Sequence, residues 1–409
     1  MSAPSDPARG STRPRALRIG ELRWGHTTSL FQLREPAFWL FAGVLVATGV
    51  SAFNEESLFH RVSASGWALS WGLLLLYAIP FFLGVYFLDL YEREPLSLMV
   101  GALLWGGVAA TSMAGVANEH WGEVVARLGG PEFASRWTAA FTGPPVEETL
   151  KVVGVVLIYL IARDEIDDIM DGFVYGALVG LGFAVVEDVF YFVGVFGGST
   201  HGVLTGFFLR VISSGLYTHV VWAGLSGVGV AYFVSRRDLV PLSRRIGVAG
   251  GLFGSAVFGH FLWNSPWLTF IPSTPWHGVD WLLVPLATAV KGIPFLAFVA
   301  AILVVARHRE ERWLAIALDS EVGRGGLTAE DLQQLDRPGK RRRVRRSVRE
   351  RAGARAGALV KRLQREQLNL AMVRARVTSA DDPDLVRQRE YCRSLRSALA
   401  AIPGALPTV

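Results

Sequence analysis

Only one of the 409 residues is cysteine, Cys392, which excludes an intramolecular disulfide and any cysteine-rich metal site. Charge is scarce as well. Asp, Glu, Lys and Arg make up 19% of the chain, against ~25% in an average soluble protein. The ~10-residue alternating segments of a transmembrane β-barrel are missing. The first 35 residues are polar and hold no short apolar core, so no cleavable signal is expected.

What fills the chain instead is apolar sequence: 51% hydrophobic residues and a mean hydropathy of +0.35. Apolar runs of ~20 residues recur, which sets the fold class as an all-α, polytopic membrane helix bundle. Eight spans are expected, at 36–53, 66–90, 96–118, 138–162, 171–196, 205–235, 246–264 and 280–306. The segment 119–137 places Trp121, Val124, Val125 and Leu128 at helical spacing among charges and reads as a short interfacial helix.

Positive charge is unevenly spread. Arg13, Arg15, Arg18 and Arg23 lie before the first span, and Arg236, Arg237, Arg244 and Arg245 lie between the sixth and seventh. Residues 307–409 carry 23 Lys and Arg against 13 Asp and Glu. With eight spans all three segments fall on one side, so both termini are expected in the cytoplasm. The domain organisation that follows is a basic segment, 1–35, an eight-span membrane domain, 36–306, and a basic helical tail, 307–409. In the tail, Thr328 with Asp331 reads as a cap before a short helix, and Pro383 opens a last one. Beside a membrane, the run Lys340-Arg341-Arg342-Arg343-Val344-Arg345-Arg346 suits anionic lipid, and no nucleic acid partner is expected.

Ionisable groups inside spans are costly and face polar interiors. Four spans carry them. The fourth has Glu147, Glu148 and Lys151; the fifth has Glu187 and Asp188; the sixth has Arg210, Tyr217 and His219; the seventh has His260 and, four residues on, Asn264. Glu147 and Lys151 share a helix face, while Glu148 points about 100° away from Glu147. One carboxylate is thus expected on the lysine and the other on a different neighbour. Counted from the cytoplasmic ends of their spans, Glu147, Glu187, His219 and His260 all lie roughly 21–24 Å deep. Acids, imidazoles and an amide at one level suit water activation, by a carboxylate base or by a bound cation. The glycines of the fifth and sixth spans allow those helices to approach closely.

No His-Glu-x-x-His is present, nor a Gly-x-Gly-Asp, nor a serine in a recognisable intramembrane peptidase motif. The segment Glu147-Glu148-Thr149-Leu150-Lys151 does resemble the Glu-Glu motif of the CAAX-protease and bacteriocin-processing superfamily. Its spacing to the basic residue is that of the PrsW branch. Asp89–Pro95 resembles that branch's Asp-x-Tyr-Glu-x-Glu-Pro turn, and Asp171–Gly176 its Asp-Gly-x-x-Tyr-Gly helix start. Gly182–Asp188 resembles Gly-Phe-Ala-x-x-Glu-Asn with Asp188 in place of Asn, and His260 with Asn264 resembles the late His-Asn pair. The resemblance covers about 85–306. It implies a bacterial cytoplasmic-membrane endopeptidase cutting a membrane-anchored protein such as an anti-sigma factor. In it Glu147 or Glu148 activates water, and His260 and Asn264 stabilise the oxyanion or a metal.

Two mechanisms share these residues. In one, a glutamate is the general base. In the other, a divalent cation, zinc by ligand type, sits among Glu147, Glu187, His219 and His260. Charge balance favours the cation, because Glu147, Glu148 and Glu187 exceed what Lys151 neutralises. Two rivals from other classes are a proton- or cation-coupled transporter and a non-catalytic membrane scaffold.

Overall fold

The computed structural model describes residues 29–88, 94–213, 217–237, 239–267, 280–324, 326–335, 337–377 and 379–405. The arginines at 13, 15, 18 and 23, and positions 89–93 of the Asp89–Pro95 turn, lie outside them. The chain divides at Ala306/Arg307 into two compact units.

In the first unit, α1 (Pro36–Val62) and α2 (Ala64–Tyr86) precede a long helical run. That run is α3 (Leu96–Leu104), a wide π turn at Trp105–Ala110, and α4 (Thr111–Ile161). Then come α5 (Ile169–Phe190) with a π extension to Val195, and α6 (Thr200–Gly206) with a π segment to Ser213. α7 (Tyr217–Ser235), α8 (Leu242–Asn264) and α9 (Asp280–Asp319) follow. Among the described residues, sheet-like pairing is limited to one isolated bridge, Val322 with Leu327.

Among the described residues, seven helices are long and apolar enough to cross a bilayer. One of them, Leu96–Ile161, has 66 residues, or ~99 Å at 1.5 Å per residue, far more than a ~30 Å hydrocarbon core. It doubles back at Gly130, whose φ of 81° only glycine adopts readily, with Pro131 next. The two arms are antiparallel neighbours: the Trp121 indole donates to the Phe141 carbonyl at 3.2 Å, and Asn118 donates to Glu147 at 3.2 Å. Phe141 is free to accept because residue 145, its helical donor, is proline. This run therefore supplies both the third and the fourth expected spans. The segment 119–137 is not a separate interfacial helix but the meeting of two arms longer than the membrane is thick. The apolar helix of the sixth span is described from Tyr217, since Thr200–Ser213 forms an element of its own.

α5 is the centre of this unit, with most of its residues buried. Asp168 and Asp171 form a reciprocal cap at its start, which explains the Asp-Gly sequence there. Tyr175 donates to the Glu94 carboxylate, so the two motif segments around 94 and 171–176 meet in space. A Cβ at Gly172, Gly176 or Gly180 would collide with backbone carbonyls of α7 at Gly227, Ala223 and His219. The expected close approach is thus a backbone-to-backbone contact.

The second unit holds α10 (Ala329–Leu335), α11 (Pro338–Arg376, broken at Gly353) and α12 (Pro383–Ala400). Thr328 and Asp331 cap α10 as the sequence suggested, with Asp331 N donating to Thr328 Oγ1 at 3.2 Å. A buried Glu321 accepts from Arg389 at 2.6 and 2.8 Å. Burial pushes the Cys392 thiol up to about 12, with the Glu366 charge adding to it, so it is no nucleophile at neutral pH.

Candidate functional site

The site begins on one turn of α4. Glu147 and Glu148 are buried there, and Lys151 is fully buried one turn later. Its ammonium lies 2.8 Å from Glu148 Oε1 and 3.5 Å from Glu147 Oε2. The lysine thus reaches both carboxylates, since i+3 and i+4 neighbours both lie beside it, and the i+3 partner Glu148 is the closer. Phe183 of α5 presents its ring 4.0 Å from the ammonium.

α7 and α8 add the imidazoles. His219 Nδ1 is 2.9 Å from Lys151 Nζ, and its Nε2 is 3.1 Å from Glu187 Oε2. An ammonium can only donate, so Nδ1 offers a lone pair to Lys151 and Nε2 donates to Glu187. His260 Nδ1 is 2.9 Å from Glu148 Oε1 and donates to that carboxylate. Its Nε2 lone pair then faces Glu147 Oε2 at 3.8 Å. The two imidazoles stand at 86° with centroids 5.1 Å apart. Trp222 fixes that angle, stacked on His260 at 4.2 Å and 13° and edge-on to His219 at 86°.

Ligand atoms of Glu147, His219 and His260 all lie within 4.8 Å of one another. One carboxylate and two imidazoles form a common catalytic zinc set. Each imidazole also rests its other nitrogen on a carboxylate, Glu187 or Glu148, the arrangement that orients histidine ligands in metal sites. Glu148 Oε2 is buried with no hydrogen-bond partner among the described residues, a site for one more cation or donor. The donor set fits a divalent ion, with one reservation of geometry: Lys151 stands on the His219 lone pair.

Of the four residues expected around a cation, three share this space. Glu187 stands behind His219, and its carboxylate is taken by Arg210 at 2.8 Å. Arg210 also pairs with Asp188 at 2.5 Å and lies over the Tyr191 ring at 3.6 Å. Four carboxylates against two cations leave two negative charges with both histidines neutral, so the excess read from the sequence survives the addition of Arg210. Asn264 does not join the cluster. Its amide donates to the Ala139 carbonyl at 3.2 Å, near Gly143, where an added Cβ would meet Glu147 Oε1 at 2.9 Å and Asn264 Nδ2 at 3.4 Å.

Sequence reading missed Asn118 and Trp222, and took Phe183 as a motif position without its contact to Lys151. Trp222 had a usable signal, since it lies three residues after His219 on the same helix face. Asn118 had none, being a lone amide in an apolar span.

Residues 94–310 match the family model described as PrsW family intramembrane metalloprotease. Among curated proteins, the chain is 28% identical over 205 residues to a protein named Protease PrsW from Geobacillus kaustophilus (strain HTA426). That alignment covers 49% of this chain and 72% of the relative. It is 27% identical over 220 residues to Protease PrsW from Bacillus subtilis (strain 168), covering 52% of this chain and 82% of that protein. No solved structure matches.

Proposed function

We propose, from the premise that this chain belongs to the PrsW family of intramembrane metalloproteases, that Glu147, Glu148, Lys151, His219 and His260 are its hydrolytic site. The observation that carries this reading is their convergence from α4, α7 and α8 into one buried hydrogen-bonded cluster. Independent packing contacts have no reason to converge so, and unpaired charge at that depth is costly.

In this reading Glu147 is the working carboxylate, the base where water is activated without a metal and a ligand where an ion is bound. Its oxygens have the looser contacts, with Asn118 at 3.2 Å, Lys151 at 3.5 Å and His260 at 3.8 Å. Glu148 is the positioning carboxylate that holds Lys151 and the His260 ring. Glu187 orients His219. Glu147, His219 and His260 would hold a divalent ion, zinc by donor type, which when bound polarises water and the scissile carbonyl. Asn264, one turn beyond His260, is the amide that turns to the developing oxyanion. The substrate class is a membrane-anchored protein of the anti-sigma-factor kind, cut within a bacterial cytoplasmic membrane.

The test is cleavage of a tagged membrane-anchored substrate by purified protein in detergent. Wild type should cleave it, and His260→Ala should not. No cleavage of any such substrate by folded wild type ends the reading. Gly180→Ala should lower the rate by about 10²-fold in protein that still inserts, because the new methyl drives the His219 backbone out of place. An unchanged rate would show that His219 is not held by this contact.

Both termini are proposed to be cytoplasmic, so reporter fusions after Arg237 and Arg349 should report the same side. Residues 36–306 are proposed as the protease and 307–409 as a separable tail for anionic lipid. Deleting 310–409 should spare cleavage while weakening the salt-sensitive binding to anionic vesicles. Loss of hydrolysis by a folded truncation would place the tail within the enzyme.

A further inference from the structure

Lys151 is the group that metal-assisted hydrolysis leaves unexplained. A centre that gathers a dication on Glu147, His219 and His260 has no need of an ammonium among them, and a like charge so close opposes loading. Yet Lys151 is fully buried, with Glu148 at 2.8 Å, Glu147 at 3.5 Å, His219 Nδ1 at 2.9 Å and the Phe183 ring at 4.0 Å. Two carboxylates, an imidazole lone pair and a π face are surroundings made for a cation.

Hydrogen-bond accounting makes the overlap unavoidable. His219 Nε2 is committed to Glu187, so Nδ1 carries the ring's remaining lone pair, and the ammonium is on it. From these contacts we infer that Lys151 is an internal competitor for the metal. Ammonium and dication take the same lone pair of His219 and the same oxygen of Glu147, so the ion loads only as Lys151 swings aside. The swing has a destination. Glu148 Oε2, on the carboxylate that Lys151 already touches, has no partner among the described residues. A lysine stem is flexible enough to pivot to it without losing its ion pair. Lys151 thus stays paired as the dication enters, and the ion then offsets the two negative charges that Lys151 and Arg210 leave.

This inference rests on the metal reading above, and the experiment separates the two. Full-length protein in detergent is titrated with zinc ion alone against a chromogenic chelator, alongside Lys151→Met, Lys151→Gln, Phe183→Leu and His260→Ala. Lys151→Met and Lys151→Gln should bind zinc roughly tenfold tighter or more than wild type. Phe183→Leu keeps the lysine but removes the ring that holds it, and should fall between. It still reads the competition if both lysine variants fail to fold. His260→Ala should bind weakly. Equal or weaker zinc affinity in the lysine variants and in Phe183→Leu, with zinc bound by wild type, overturns the competition and leaves the metal reading standing. Absence of zinc binding in every protein, with cleavage by wild type intact, overturns the metal reading and this inference with it.

Discussion

Glu147→Gln is expected to lower substrate cleavage by about 10²–10⁴-fold, the usual worth of a positioned general base. Glutamine is nearly isosteric and keeps an oxygen for Asn118, so the fold should be spared. Glu147 is 4% exposed and its carboxylate lies among Lys151, His260 and Asn118, and no other acid of the cluster is placed to substitute for it. Glu148→Gln should be about as damaging by another route. It loses the anion that Lys151 and His260 both use, and His260 turns away from its present tautomer. Rates are measured on protein that elutes as a single detergent-solubilised species. Two glutamine variants that cut at the wild-type rate would move the chemistry out of this cluster.

The second large effect is on stability. Arg210→Leu removes the cation that Glu187 and Asp188 share, leaving adjacent carboxylates without a counter-charge. Removing one partner of a buried pair costs about 3–5 kcal/mol. The lower end applies here, because the guanidinium side chain keeps 25% of its exposure. Arg210→Leu should therefore melt well below wild type in detergent. Arg210→Leu with Asp188→Asn should recover part of the loss, since it withdraws one of the two stranded charges. A single variant as stable as wild type would mean that the pair contributes nothing, as many surface pairs do.

Much of the site was legible because straight helices convert residue counts into depth. Counting from one end of each span put Glu147, His219 and His260 at one level, and all three meet in the structure. The same count put Glu187 at that level, but depth says nothing about azimuth, and Glu187 meets His219 and Arg210 from behind. Arg210 was visible as an intramembrane cation. Its partners were not, because they lie 22 and 23 residues away on another helix, beyond any periodicity. The two spans joined by the hairpin were expected, but the place of its turn, Gly130, was hidden for a different reason. Hydropathy marks where a helix leaves hydrocarbon, and both arms continue as helix well past that point. The lysine was read as serving one carboxylate because rotation per residue was counted and side-chain length was not.

The glycine contacts divide the site mechanically. α5 and α7 touch backbone to backbone at three levels, so no sliding between them is possible without a clash, and His219 with Glu187 rides on that rigid pair. α8 is built the other way. A Cβ added at Gly247, Gly250, Gly251 or Gly254 meets nothing within 4 Å, and little of the helix is buried. In an engineer's terms the α5–α7 pair is a keyed joint, while α8 is held at its site end by what lies around His260: the Trp222 ring, Glu148, and Phe295 against Gly259.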